Sequence, residues 1–362
     1  MNRIQPAWLR LPWQQAWAHA ASRGMAAMTD ASMAQLTAAA SARIQTAIAP
    51  EVCKTLTAQG YAVVDNLFDP KHAELLRQEI VQLYQGSRMH KNHTHLVRDN
   101  TTRLLEKGSI HEAELTLNSN NAQQAAPLCA RLNADTTLRT MLSLLTPGLT
   151  LDMQAIKLQY NAGEGGCFPI HADTDASLDG RRVTSIFYLN PGWQPSHGGQ
   201  LKLYPWPLPP VEIAPLHNRL VLFTSHTQLH RVTPSFAPDG RCCFTIWLSQ
   251  SRGRRVVRAA PASPLSSLQP ATSPEQDPGA AVKFLMTPSV RLHAAKLALS
   301  GEWEESLRQS HKPGPELHAM LAQHRAEVAL IGRALGKYSG VMQRLQQEPQ
   351  LAQSAAASIS WL

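Results

Sequence analysis

Acidic residues are missing from the first 29 positions of this 362-residue chain. Arg3, Arg10, Arg23 and, further on, Arg43 are spread there through Ala, Ser, Gln and Trp, and Asp30 is the first acid. No compact apolar stretch accompanies the early arginines, which argues against a secretory signal; arginine-bearing, acid-poor sequence has the composition of an organellar transit peptide. Residues 1–50 are therefore expected to be an N-terminal extension. It directs the chain to a mitochondrion or plastid if it is a transit peptide, and is otherwise a flexible arm of a cytoplasmic or nuclear protein. No apolar run reaches membrane-spanning length, so no membrane partner is expected. Cysteines are few: five at irregular spacing give neither a disulfide framework nor a paired C-x-x-C zinc pattern. Cys242 and Cys243 are strand neighbours that point to opposite faces, and free thiols fit a reducing compartment. The formal net charge of +8 favours an anionic partner in principle. Much of it lies near the N-terminus and in RGRRVVR (252–258), and no stacking platform or nucleic-acid motif accompanies it, so nucleic acid is not expected.

What is present is a globular pattern from residue 51 onward. The apolar fraction of 43% supports a sizeable core. Residues 51–150 read as the helical and strand-bearing first part of one domain. EVCKTLTAQG is a helix closed by Gly60, YAVVDNLF a strand, and DPKHAELLRQEIVQLYQGS a helix capped by Asp69. The histidine-rich stretch 90–121 carries His90, His93, His95 and His111. It is expected to be a surface loop rather than a second metal site, because no cysteines complete a tetrahedral set. Residues 126–145 read as one helix. Over 151–251 eight short strands follow, near 155–160, 168–174, 182–190, 200–204, 211–214, 220–225, 230–234 and 241–249, each bounded by turn residues. The expected fold class is α+β, a jelly roll (double-stranded β-helix) flanked by helices.

Two of these strands carry a metal-ligand pattern. His171 and Asp173 are two apart and should leave one strand face together, and His230 opens the seventh strand. Two imidazoles and a carboxylate form the facial set that holds non-haem Fe(II) with open positions. Arg241, Cys243, Thr245 and Trp247 alternate onto what should be the inner face of the last strand. A permanent guanidinium at the mouth of a metal pocket suits a dicarboxylate such as 2-oxoglutarate.

GYAVVDNLFD (60–69), the HAD triplet, GRRVTSIFYLN (180–190), GGQLKLYP (198–205) and RCCFTIW (241–247) occur in that order. Together they resemble the Fe(II)/2-oxoglutarate-dependent dioxygenases, and within them the prolyl 4-hydroxylase branch that includes the oxygen-sensing hypoxia-inducible factor prolyl hydroxylases. The resemblance implies hydroxylation of a prolyl residue in a polypeptide, with O2 consumed, succinate and CO2 released, and L-ascorbate keeping the metal reduced. It implies His171, Asp173 and His230 as iron ligands and Arg241 as the anchor of 2-oxoglutarate, with Tyr160, Tyr188 and Thr245 lining the co-substrate pocket. Two departures stand out: Arg241 lies eleven positions after His230, and the interval from Tyr160 to His171 is one residue long of the pattern. An oxygenase of a small molecule or nucleobase, or a non-catalytic metal-binding jelly roll, is the alternative.

Residues 252–288 read as a linker, rich in Pro, Ser and Ala over 259–279, and 289–362 as a C-terminal helical segment. Leu317, Leu321, His324, Val328, Ile331, Leu335, Tyr338, Met342 and Leu345 step by four and three, a heptad seam that should meet either a second copy of the chain or the jelly-roll wall. Gly332, Gly336 and Gly340 form a ridge beside it, marking either a close backbone approach or a bend.

Overall fold

Strand alternation and turn residues set the frame. The computed structural model describes residues 28–98, 101–115, 124–174, 179–251 and 273–362, and of 94–98 and 101–105 the backbone alone. The N-terminal stretch to residue 27 and the linker over 252–272 fall outside the described residues.

The first elements are α1 (Asp30–Ala47), α2 (Pro50–Gln59), β1 (Tyr61–Asp65), α3 (Pro70–Gln85), β2 (His90–Arg98) and β3 (Thr101–Glu114). Next come α4 (Pro127–Ala134), α5 (Thr137–Leu145), β4 (Met153–Asn161), β5 (Gly166–His171), β6 (Arg181–Tyr188), β7 (Leu201–Tyr204) and β8 (Val211–Ile213). After these stand β9 (Arg219–Thr224), β10 (Leu229–Ser235) and β11 (Arg241–Ser249). The chain ends in α6 (Pro278–Met286), α7 (Pro288–Ala298), α8 (Ser300–Ser310), α9 (Pro315–Leu335), α10 (Ser339–Gln347) and α11 (Pro349–Ala356). The strands form an antiparallel major sheet of order β1-β9-β6-β11-β4-β3-β2 and a minor sheet of order β5-β10-β7-β8. This is the jelly roll with flanking helices, and its eight core strands lie close to the expected positions.

Period-two alternation sorts the side chains into three layers. On β11, Cys242, Phe244, Ile246 and Leu248 face outward and join Leu76, Ile80 and Phe187 in the core under α1–α5. Phe68, Phe187 and Phe244 stack there at 5.6 and 4.5 Å between centroids. Between the sheets, Ile186, Tyr188, Leu203, Phe223 and Val232 form the inner core. Beyond the minor sheet, Ile170, Tyr204, Trp206 and Leu229 pack on Leu285, Leu335 and Tyr338 of the C-terminal helical layer and on Trp361 of the tail that follows it. In the outer layer, α3 starts where Asp69 accepts from Lys71 N at 2.9 Å with Pro70 at its first position, and it buries Leu75, Leu76, Ile80 and Leu83 as its pattern requires.

Several expectations need correction. The globular body begins before residue 51: Ala40, Ile44 and Ile48 are in the core, and Thr29 caps α1 by accepting from Ser32 N. The Ala-rich composition of α1 hid this, because alanine carries little periodic signal. The stretch read as a loop from residue 90 is the β2–β3 hairpin, which lengthens the major sheet beside β4. The single helix over 126–145 is broken into α4 and α5 by Asp135, whose side chain accepts from Thr137 N at 2.6 Å. Helix α6 falls inside the region assigned to a linker. The heptad seam is used within the chain: Leu317 and Leu321 pack with Leu307, and Ile331, Leu335, Tyr338, Met342 and Leu345 join the core against the minor sheet. A Cβ at Gly336 or Gly340 would meet nothing within 4 Å, so the ridge marks no close approach; a tight turn at Gly336–Tyr338 interrupts the helix there.

Candidate metal centre and co-substrate pocket

The register of β5 against β10 sets His171 directly opposite His230. A cross-strand pair on one sheet face projects together, and the two rings lie 4.3 Å apart between centroids. Asp173 is not on the strand: β5 ends at His171, and Asp173 lies in the following loop, anchored where its N donates to Ser225 O at 3.0 Å. The carboxylate nevertheless reaches the histidines. Its Oδ1 is 3.7 Å from His171 Nε2 and 3.6 Å from His230 Nε2. The three ligand atoms lie within 4.8 Å of one another, and among the described residues this is the one such cluster.

The remaining polar atoms of the triad are committed elsewhere. His171 Nδ1 donates to Pro169 O at 2.8 Å and His230 Nδ1 to Gln228 O at 3.2 Å, which fixes the tautomer with the Nε2 lone pairs turned inward. Thr184 Oγ1 and Trp247 Nε1 both donate to Asp173 Oδ2, the latter at 3.2 Å, leaving Oδ1 free. Burial drives His230 down to about 4, with His171 adding to it, so the imidazole is neutral at pH 7. Burial alone would raise Asp173; the two histidines and the Thr184 hydroxyl outweigh it and hold the carboxyl well below its ordinary value. Two imidazoles and one carboxylate with converging lone pairs fit an Fe(II) ion.

Across the pocket stands Arg241, 2% exposed. Its Nε donates to Gly199 O at 2.9 Å, Nη1 reaches Cys243 Sγ at 3.5 Å, and the guanidinium lies over the Tyr188 ring at 5.0 Å. No carboxylate among the described residues pairs with it. A buried cation without a counter-ion is costly, and an incoming anion resolves that cost. Gly199 explains itself here: at φ +71° a Cβ would come within 2.7 Å of Arg241 Cδ. The inner face of β11 is as its alternation implies, since Arg241, Cys243, Thr245 and Trp247 all line the pocket with the triad.

Tyr188 is fully buried beside Arg241, whose guanidinium lies over its ring, and its hydroxyl makes no well-formed hydrogen bond among the described residues. Tyr160 is elsewhere. It pairs with Cys242, on the outer face of the sheet, stacks on Tyr84 at 4.0 Å, and donates to Asp239 O at 3.3 Å. Gln159, paired with Cys243, is the β4 residue that lines the pocket. The extra residue between Tyr160 and His171 is the physical reason, because a slip of one position on a strand exchanges its faces.

The sequence also left residues unassigned that the structure brings to the site. Asn92, Glu112 and Lys157 line one wall, with Asn92 donating to Glu112 Oε2 at 2.6 Å and Lys157 Nζ 3.3 Å from Glu112 Oε1. Arg181 lies over the Trp247 ring at 4.7 Å. Alternation on β4 could have found Lys157 and Gln159. Asn92 and Glu112 were lost with the hairpin.

Comparison with known proteins agrees with this geometry. The 2OG-Fe(II) oxygenase superfamily matches residues 156–249. The chain is 28% identical over 219 residues to the hypoxia-inducible factor prolyl hydroxylase of Caenorhabditis elegans, covering 55% of this chain and 28% of that one. It is 35% identical over 99 residues to the prolyl hydroxylase EGLN3 of Mus musculus, covering 26% of this chain and 40% of that one. The chain thus spans well under half of either curated relative. A solved prolyl 4-hydroxylase from Phytophthora capsici superposes with a TM-score of 0.66 at 30% identity, covering 85% of this chain and 94% of that one.

Proposed function

The chain belongs to the 2OG-Fe(II) oxygenase superfamily, in its prolyl 4-hydroxylase-like branch, and from that premise we propose that it hydroxylates a prolyl residue of a polypeptide. 2-Oxoglutarate and O2 are consumed, and succinate and CO2 released. The observation that carries the reading is the buried Arg241, which has no carboxylate partner among the described residues and faces the triad across one pocket. His171, Asp173 and His230 hold the iron, which when bound supplies the oxidising chemistry. The carbonyls of Pro169 and Gln228 keep both imidazoles in the ligating tautomer. Arg241 receives the far carboxylate of 2-oxoglutarate, with the Gly199 carbonyl holding the guanidinium in place and Thr245 beside it. Trp247 braces Asp173 and, with Arg181, forms an aromatic and cationic rim against which a peptide lies. L-Ascorbate is included in the proposal as the reductant that restores the metal.

Support for a prolyl substrate comes from relatives named prolyl hydroxylases. Proline also suits such a site, because a proline-bearing strand is pre-ordered and loses little entropy on binding. The test is a panel of proline-containing peptides incubated with the full chain, Fe(II), 2-oxoglutarate and ascorbate, with mass detection of one added oxygen and assay of succinate. Oxygen entering only a small molecule or nucleobase would reject the prolyl substrate. Metal binding without succinate would reject turnover altogether. The N-terminal segment is kept in the proposal as an organellar targeting sequence, with one limit: cleavage stops short of Asp30, since α1 belongs to the core. N-terminal sequencing of the native protein checks it.

A further inference from the structure

The bonds that orient the triad lead out of the pocket to the far side of the minor sheet. The turn between β9 and β10, residues 225–228, touches two of the three ligands. At one end Ser225 O accepts from Asp173 N at 3.0 Å, and Ser225 Oγ pairs at 2.8 Å with Thr184 Oγ1, the hydroxyl that holds Asp173 Oδ2. At the other end Gln228 O accepts from His230 Nδ1. Between them Thr227 faces the C-terminal helices. Arg291 of α7 donates through Nη2 to Thr227 O at 2.5 Å and through Nη1 to Trp206 O at 3.1 Å. Thr227 Oγ1 donates to Trp361 O at 2.8 Å. The Arg291 guanidinium lies over the Trp361 indole at 4.3 Å, and that indole fills the space a Cβ on Gly60 would occupy.

Arg291 is 1% exposed, and no carboxylate among the described residues pairs with it. An apolar side chain would pack such a site at lower cost. What the guanidinium does that an apolar group cannot is tie two carbonyls from separate segments with one planar fork. Helix α8 makes parallel ties beside the histidines themselves. Ser306 Oγ accepts from Ile170 N at 3.1 Å, next to His171, and Arg231, next to His230, donates to Gln309.

We propose that Arg291 is a positioning residue for the metal ligands, acting through Thr227 and the 225–228 turn on His230 and Asp173, so that the C-terminal helical layer completes the metal centre. The proposal rests on the triad being a metal site, and does not depend on the substrate.

The test uses Co(II) as the probe, added to the full chain, with the dissociation constant from titration and the ligand geometry from the visible absorption bands. Arg291→Lys keeps the charge and loses the fork. Its Co(II) affinity is expected to fall about tenfold, the size typical of losing a group that orients a ligand, with altered absorption bands. Leu345→Ala opens a cavity in the same helical layer and removes no hydrogen bond to the turn. It should lower the melting temperature with Co(II) affinity and spectrum unchanged. Should Arg291→Lys fail to fold, Arg291→Gln, which keeps a neutral donor for one of the two carbonyls and loses the fork, gives the same reading. Wild-type affinity and spectrum in the folded Arg291→Lys or Arg291→Gln protein would overturn the proposal. So would a Leu345→Ala variant that shifts both readouts equally. A wild-type chain that binds no Co(II) would remove the metal site and the proposal together.

Discussion

The two sheets of the jelly roll are both roofed by helices, but the roofs are joined to them by different chemistry. Over the major sheet, α1–α5 meet the strands mainly through aliphatic and aromatic side chains, and directed bonds across that seam, from Gln154 to Asn133 O at 2.6 Å and Asp135 O at 2.9 Å, end on β4, which carries none of the three ligands. Over the minor sheet, apolar packing is supplemented by directed bonds. Ser306 reaches Ile170, Gln309 reaches Arg231, Glu302 accepts from Lys202 at 2.7 Å and Tyr204 at 2.6 Å, and Arg291 holds Thr227. The minor sheet carries both histidines. Apolar contact is non-directional and stabilises by area buried, whereas a hydrogen bond fixes an atom's position. The N-terminal roof therefore supplies stability to the fold, and the C-terminal roof also supplies geometry beside the ligands. Each expectation below breaks that division or sharpens it.

The largest effect is expected at the centre itself. His171→Ala or His230→Ala should abolish metal binding and turnover together, since two remaining ligands leave the ion exchangeable. Full turnover by His171→Ala at micromolar iron would reject the ligand assignment. Next comes the outer core. Ile44→Ala removes a buried side chain from α1 and should cost about 2–5 kcal/mol of stability. If the division holds, metal affinity and the 2-oxoglutarate titration stay as in wild type at temperatures where the variant is folded. A weakened metal site in folded Ile44→Ala would erase the distinction between the roofs.

Arg241→Ala reads the opposite way. A charge-assisted contact is worth about 1.5–3 kcal/mol, so the 2-oxoglutarate requirement should rise roughly tenfold to a hundredfold while metal binding stays near wild type. Gly199→Ala should move the same titration in the same direction, because its Cβ displaces the arginine stem. Unchanged titrations in both would mean that another group anchors the co-substrate.

The inner face was legible in the sequence to the degree that it obeys period two. Arg241, Cys243, Thr245 and Trp247 could be placed from alternation on β11 alone, and the structure sets all four in one pocket. Tyr160 shows where that logic fails. A single inserted residue moved it to the outer face, and nothing in the local sequence says on which side of a loop an insertion is absorbed. Asp173 reaches the cluster from a loop rather than a strand, so the sequence named the residue without its local structure. The β2–β3 hairpin was hidden because His90, Lys91, Asn92 and His93 give no apolar alternation; its strands are held by pairing along the edge of β4 and by the Glu112 cluster. The heptad seam was visible from residue spacing, but its partner was not, since apolar steps of four and three fit any apolar surface.

The smallest effect tests whether the N-terminal roof has a polar element of its own that stays out of the chemistry. Glu79 of α3 accepts from Leu128 N at 2.8 Å and Cys129 N at 2.9 Å, and so caps α4, whose own preceding residue, Ala126, offers no side-chain acceptor. Burial pushes the carboxyl up to about 7, and the two N–H groups only partly oppose that. A folded value above the unfolded one means that this group's contribution to stability is fully present below about pH 4.5 and is lost as pH rises through 7. Its size is at most about 3 kcal/mol. Glu79→Gln keeps one acceptor and cannot ionise. It should be somewhat less stable than wild type at pH 5 and gain on it steadily toward pH 8. The difference between the two melting curves carries the result, because His72, driven down to about 4 by burial, titrates with the opposite sign at lower pH. Parallel curves would mean that Glu79 does not titrate in this range. A changed pH profile of turnover in the folded variant would show the N-terminal roof reaching the metal centre after all.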